Sequence, residues 1–254
     1  MKVSYPTPAA RISTYVKTIL VIENDHVVSP FELPLFANGT PTLLFTTAVG
    51  TLGGNKHHLT LFGQTVLPQQ LLINTDFKLI AYFLRPFALS ALFDVSAFEL
   101  TDRPIALDML TGQKGLQERL LNAATTDRLL QLIDEYLYDK IVAVKQEDKR
   151  LIYAAEKISG STDKNILTAV QRDLYMTERT FQRLFEQNIG VSPNLLRRIS
   201  QFNRALLQIN KGNFQNLSAV AHYHGYADQS HFIRTFKEFT GLTPSEYLGA
   251  LPVT

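Results

Sequence analysis

The chain reads as an α+β protein, with a β-rich N-terminal part forming a small barrel or sandwich with helices and an all-α C-terminal part holding two helix-turn-helix motifs. Three observations predict this. Short apolar stretches broken by turn residues run to about residue 110, a helical period takes over from about residue 112, and one pattern occurs twice, 51 positions apart. The first copy reads Phe181-x-Arg183-x-Phe185-x4-Gly190-Val191-Ser192-Pro193, and the second Phe232-x-Arg234-x-Phe236-x4-Gly241-Leu242-Thr243-Pro244.

A length of 254 residues suffices for two ordinary domains, each with its own core, and the expected division is 1–145 and 146–254. With 45% hydrophobic and 19% charged residues the chain is globular rather than disordered. No apolar run approaches the length of a membrane span, and the N-terminal residues lack the apolar region of a secretory signal. There is no cysteine, which removes disulfides, thiolate metal sites and thiol nucleophiles and fits a cytoplasmic location. From Arg150 onward 12 Lys and Arg stand against 8 Asp and Glu, while the preceding residues carry 13 against 15. That mild basic bias agrees with a polyanion partner but does not by itself select one.

In the N-terminal part, apolar stretches at 17–23, 42–47, 58–62, 71–73 and 78–84 read as strands. The turns between them include Asn38-Gly39, Gly53-Gly54-Asn55 and Pro86. Strands at this spacing suit a barrel or sandwich, with a helix over 86–93. Leu116, Leu120 and Ala124, then Leu129, Ile133, Tyr136 and Leu137, recur at helical spacing. They predict two amphipathic helices joined at Thr125-Thr126-Asp127, where Thr or Asp caps the second. The polar stretch 145–150 is the expected domain boundary, and 159–163 a loop.

Beyond it, Asn216 caps a short helix that ends at Gly225, and Asp228 caps the next, which stops at Gly241. In the first copy, Thr177 caps a helix over 178–188 that follows one over 166–175. Its turn lacks a glycine, and Gln171 occupies a place where a small residue would pack more easily. Between the copies, Leu195, Ile199, Phe202, Leu206 and Ile209 stripe a helix of about eighteen residues. At ~1.5 Å per residue it spans roughly 27 Å, enough to hold two reading helices about one turn of DNA apart.

At 100° per residue, Phe181, Leu184 and Phe185 share one side of the second helix of the first copy, and Arg179, Gln182, Arg183 and Glu186 the other. The second copy buries Phe232, Thr235 and Phe236 and turns out Ser230, Ile233, Arg234 and Lys237, with Gln229 at the exposed start. Arg matches the guanine O6/N7 edge, Gln the adenine N6/N7 edge, and Ile can meet a thymine methyl. An outward Arg and Gln stripe alone is usually solvated surface; its duplication around a rigid spacer makes double-stranded DNA the expected partner.

The stretch Ala221-x3-Gly225-Tyr226-x-Asp228-Gln229-Ser230-His231-Phe232-x-Arg234-x-Phe236-Lys237-x3-Gly241-x-Thr243-Pro244-x2-Tyr247 resembles the signature of AraC/XylS-type transcription regulators. Residues 177–185 with Gly190-Val191-Ser192-Pro193 resemble that family's first module, and Arg198-Ile199-x2-Phe202-x-Arg204-Ala205-Leu206 its linker helix. The resemblance covers about residues 150–250. It implies a bacterial sequence-specific DNA-binding domain whose two heads enter successive major grooves. Base contacts would come from Arg179, Gln182 and Arg183, then from Gln229, Ser230, Ile233 and Arg234. Glu178 and Glu186 depart from a basic surface. A methyl-accepting cysteine, known among relatives of this family, is absent here. Gly63-Gln64, Arg85-Pro86-x5-Leu92-Phe93 and Glu99-Leu100-Thr101-Asp102 more faintly resemble the domain that precedes this signature in members of uncharacterised effector. The implied role is sensing a small molecule or dimerisation, on a cupin-like barrel followed by helices. A homodimer and a contact with RNA polymerase are further candidate partnerships.

Other constellations are weaker. His57 and His58, adjacent on a strand, point to opposite faces and cannot easily share one ion; His26 is the remaining N-terminal histidine. His222 and His224 do not face each other on a helix, and His231 is expected at the head of the second recognition helix or on a phosphate. Asp76, Asp94 and Asp102 have no spacing that pairs them. Tyr82, Phe83, Phe87, Phe93 and Phe98 are read as core before effector pocket. The expectation is therefore a regulator rather than an enzyme, with no metal and no cofactor; the rival reading is a cupin-like metal enzyme tethered to a DNA-binding domain.

Overall fold

The computed structural model describes residues 1–48, 57–111 and 115–250. Eight strands follow in chain order: β1 (Lys2–Ser4), β2 (Val16–Asn24), β3 (Phe31–Leu35), β4 (Thr42–Thr46), β5 (Leu59–Phe62), β6 (Gln69–Ile73), β7 (Phe77–Leu84) and β8 (Ile105–Ala106). Six form one antiparallel sheet in the order β1-β2-β7-β4-β5-β8, and β3 pairs with β6 as a separate ribbon. The central strand β7 shows no polar alternation because both of its faces are covered. Ile80, Tyr82 and Leu84 point into the helix-side core, whereas Leu79, Ala81 and Phe83 pack towards the ribbon. Five of these strands lie where the apolar stretches put them. The turn at Asn38-Gly39 is present, with Gly39 at φ 69° and the Thr40 amide donating to Asn38 Oδ1 at 2.9 Å. The expected turn at Gly53-Gly54-Asn55 lies outside the described residues.

Eleven α-helices are described: α1 (Ala88–Phe93), α2 (Leu107–Thr111), α3 (Leu116–Leu121), α4 (Thr126–Val142), α5 (Lys149–Gly160), α6 (Ile166–Asp173), α7 (Glu178–Ile189), α8 (Pro193–Asn210), α9 (Leu217–Tyr223), α10 (Gln229–Thr240) and α11 (Pro244–Ala250), with a 3-10 turn at Ala97–Leu100 after α1. Thr125 caps α4 by accepting from the Arg128 amide, and Asp148 caps α5 within the polar stretch that follows. Helix α4 lies on the sheet through Tyr82, whose hydroxyl donates to Asp134 at 2.7 Å. Of the five aromatics, Tyr82, Phe87 and Phe93 are core, Phe98 is 63% exposed, and Phe83 lines a cavity described below.

The apolar interior is continuous across residues 145 and 146. One buried cluster runs from Ile12 on the N-terminal side to Phe181, Phe185, Ile189 and Leu196 on the other. A second, centred on Phe202, Phe232, Phe236 and Phe239, includes Ala37 from the loop after β3. Polar contacts reinforce the seam. The Tyr15 hydroxyl donates to Glu147 at 2.6 Å, Asn203 Nδ2 donates to the Ala37 carbonyl at 3.0 Å, and the Ser90 hydroxyl donates to the Asn188 carbonyl at 3.2 Å.

Candidate nucleic-acid interface

Helices α6 and α7 form the first helix-turn-helix, α9 and α10 the second. Their second helices start alike. Thr177 Oγ1 accepts from the Thr180 amide at 3.3 Å, and Asp228 Oδ1 accepts from the His231 amide at 2.6 Å. They also end alike, on Gly190 at φ 94° and Gly241 at φ 79°, left-handed caps that glycine adopts without a Cβ penalty. Next come Ser192 and Thr243, each capping a helix that begins with proline.

The two turns differ by one residue. Tyr226 N–H donates to the Ala221 carbonyl at 3.0 Å around Gly225, φ 76°, whereas Met176 N–H donates to the Gln171 carbonyl at 3.1 Å around Tyr175, φ 53°. The same six-residue closure is thus shifted one place towards the recognition helix in the first copy, where a 97% exposed tyrosine adopts the conformation that glycine adopts in the second. Val170, 1% exposed, takes the packed position of Ala221; Gln171 is half-buried, so the expectation of a packing conflict at Gln171 does not hold.

On α7, Phe181, Phe185 and Ile189 are buried and Leu184 half-buried, leaving Arg179, Gln182, Arg183 and Glu186 exposed. On α10, Phe232, Thr235, Phe236 and Phe239 are buried while Gln229, Ser230 and Arg234 are exposed and Ile233 is half-buried. Among the described residues Arg179, Arg183 and Arg234 make no ion pair. Gln182 Nε2 lies 3.4 Å from Glu178 Oε1, a long contact that leaves the amide available. His231 packs against Tyr226 at the head of α10, with ring centroids 5.4 Å apart.

Helix α8 holds the two units through polar side chains that its apolar stripe does not reveal. Gln201, 7% exposed, donates to the His224 carbonyl at 2.8 Å behind the end of α9. Arg204 donates to the Ser159 and Ser161 carbonyls at 2.7 and 2.8 Å, at the end of α5, and Arg198 pairs with Glu238 of α10 at 2.5 Å. Burial, then the nearby Arg204 charge, lowers the His224 pKa, and its Nε2 lies 2.7 Å from Gln208 Oε1. The buried stripe runs through Leu196, Ile199, Phe202, Ala205 and Ile209, while Leu195 and Leu206 are half-buried.

The first recognition helix is also held by its far end. The Thr101 hydroxyl donates to the Gly190 carbonyl at 2.8 Å, and a Cβ on Gly190 would lie 2.6 Å from Thr101 Oγ1 and 2.7 Å from the Ala97 carbonyl oxygen. Thr101 belongs to the segment 99–102, and that segment meets Gly63-Gln64. A Cβ on Gly63 would lie 2.3 Å from the Leu100 carbonyl oxygen, and the Asp102 amide donates to the Gln64 carbonyl at 2.9 Å. The N-terminal motif residues therefore form the bracket behind α7, while the start of α7 faces outward. Asp102 Oδ1 accepts from the Val66 and Leu67 amides, Asp76 from the Val27 amide, and Asp94 ends α1 in the left-handed region. All three acidic residues serve loop geometry. His58 Nδ1 lies 2.8 Å from the Thr46 carbonyl oxygen. Among the described residues no group of three or more His, Cys, Asp or Glu is arranged to hold a metal, and no helix is long and apolar enough to cross a membrane.

Comparisons with known proteins agree with this geometry. A family model described as a helix-turn-helix domain matches residues 170–250, and one described as a domain of unknown function, DUF6597, matches residues 5–106. An uncharacterized HTH-type transcriptional regulator of Haemophilus influenzae is 29% identical over 138 residues, 54% of this chain and 46% of that protein. The match thus spans about half the length of this curated relative. Among solved structures, ToxT from Vibrio cholerae is similar in fold at 14% identity and a TM-score of 0.50, over 89% of this chain and 99% of ToxT. A second ToxT structure, from strain O395, gives a TM-score of 0.48 at 13% identity over 95% and 100%. Residues 170–250, the region that resembles the AraC/XylS signature, thus carry a helix-turn-helix domain, and residues 5–106 match the DUF6597 domain that precedes it.

Proposed function

We propose that the chain is a sequence-specific DNA-binding transcription regulator, in which α7 and α10 enter successive major grooves and residues 1–145 modulate binding through an effector or self-association. The observation that carries this is the pair of capped helices on one 18-residue spacer, each presenting on its exposed face arginine that makes no ion pair among the described residues, Arg179 and Arg183 on α7 and Arg234 on α10. Direct readout needs such donors at the end of a helix that enters the groove. Arg179, Gln182 and Arg183 read bases from the first head, and Gln229, Ser230, Ile233 and Arg234 from the second. Ile233, half-buried, offers only its outer methyl groups, which suits a thymine methyl better than a deep contact.

Selection of bound fragments from genomic DNA by the full chain, at about 0.15 M salt, tests the reading. Two short enriched blocks about one helical turn apart support it. Salt-sensitive binding without an enriched motif would reduce the heads to backbone contacts and sink sequence-specific regulation.

A further inference from the structure

The space between the two β-layers is only partly filled. A cavity of about 230 Å³ lies between the ribbon strand β3 and the sheet face of β2, β4, β5 and β7, where Leu33, Leu35, Leu44, Phe62, Ala81 and Phe83 line it. Its remaining wall comes from the linker helix, through Asn203 and Leu206. Among the described residues no lining residue carries a charge. The polar groups at its edge are Asn38, Thr42, Thr65 and Asn203. Thr65 is 7% exposed, and its hydroxyl makes no hydrogen bond within the described protein. Both Asn203 Nδ2 bonds go to carbonyls, those of Ala37 and Ile199, which leaves its Oδ1 as an acceptor.

We infer that this cavity binds a small uncharged apolar molecule, on the scale of one ring with a short hydroxyl- or carbonyl-bearing substituent, and that the bound molecule touches α8 directly. Size sets the first limit: an apolar cavity of roughly 150 Å³ accommodates benzene, so this one holds a ring and little more. Charge sets the second. An ionised carboxylate here would lose its water without gaining a cation. A neutral oxygen needs only the Thr65 hydroxyl or the Asn38 amide. The third consequence is coupling. Leu206 and Asn203 sit on the helix that carries both heads, so the ligand's affinity depends on where that helix lies. By linkage the heads' DNA affinity then depends on the ligand. The inference rests on the regulator reading for its coupling, but not for its binding site.

The test uses the full chain without DNA, titrated calorimetrically with benzyl alcohol, cyclohexylmethanol and benzoate near neutral pH. At least one of the neutral probes should bind, with benzoate weaker than either binding probe by about tenfold or more. Ala81→Leu, which fills the cavity, and Thr65→Val, which removes the hydroxyl but keeps the shape, should each weaken that binding several-fold. Two variants guard against one failing to fold. A saturating neutral probe should then shift the affinity for the selected DNA by at least threefold. Failure of both neutral probes, equal binding of benzoate, or binding undiminished in a folded Ala81→Leu variant overturns the site. DNA affinity unmoved at saturation overturns the coupling. A chain that binds a neutral probe but selects no DNA refutes the regulator reading and leaves the cavity assignment standing.

Discussion

The Thr101 hydroxyl donates to the Gly190 carbonyl at 2.8 Å, fastening the end of the first recognition helix to the N-terminal domain. The corresponding cap of the second head, Gly241, has Pro68 Cγ as its nearest neighbour, 3.8 Å from where a Cβ would stand. Two repeats built to one pattern therefore meet different surroundings at the same position.

Gly190→Ala should accordingly destabilise the chain by about 2–4 kcal/mol, through left-handed strain plus overpacking against Thr101 and Ala97. Gly241→Ala should cost only the strain, about 1–2 kcal/mol. Urea unfolding of the two variants checks the ordering, and equal losses would show that the bracket behind α7 carries no weight.

Tyr175 suggests a change in the opposite direction. It is 97% exposed at φ 53°, so its side chain returns little for the strain of its backbone. Tyr175→Gly should raise stability by about 0.5–1 kcal/mol, the relief of left-handed strain less the extra chain entropy of glycine. A fall in thermal midpoint would reveal a contact for the tyrosine ring.

Arg183→Ala should weaken binding at the selected site by about 1–3 kcal/mol and relax preference at one base position. Competition against single-base variants of the site measures both effects. Equal loss on unrelated DNA would make Arg183 a phosphate contact.

Acid should loosen the last helix. Glu246 Oε2 accepts from the Thr243 amide and hydroxyl at 2.7 and 2.8 Å, and the first of these bonds does most to hold its carboxyl below the ordinary value of 4.5. A depressed carboxyl stabilises the fold above its unfolded pKa and gives that stability up as pH falls through the folded one. The Glu246 titration followed by NMR should fall below 4.5 in the intact chain. In Thr243→Ala, which keeps the amide donor and removes the hydroxyl, it should rise only part of the way towards that value, and an unchanged titration would show that the hydroxyl bond carries no weight.

Much of this architecture is legible in the residue pattern, for definable reasons. Strands β2, β4 and β7 declare themselves by apolar runs because the sheet is covered on both faces. Strand β3 escapes notice because Pro34 reads as a breaker, yet it sits in a two-stranded ribbon, where a proline amide can face away from the ladder. β1 and β8 are three and two residues long and carry no usable period. The outward faces of α7 and α10 follow from helical geometry alone. Gln201 and Arg204 do not, because a buried polar side chain looks like an ordinary surface residue until its partners, 23 and 45 or 43 positions away, are known. The continuous interior is hidden for the same reason: the boundary at 145–150 is polar in composition, while its flanks meet in space.

That continuity also sets the order in which the protein can mature on the ribosome. The cluster that begins at Ile12 is incomplete until Leu196 has been synthesised. At roughly 5–20 residues per second, the wait from Leu137 to Leu196 is about 3–12 s. Over that interval the sheet and its first helices stand with the apolar faces of α1 and the Ala97–Leu100 turn unclosed. The first head, by docking on them, closes those faces.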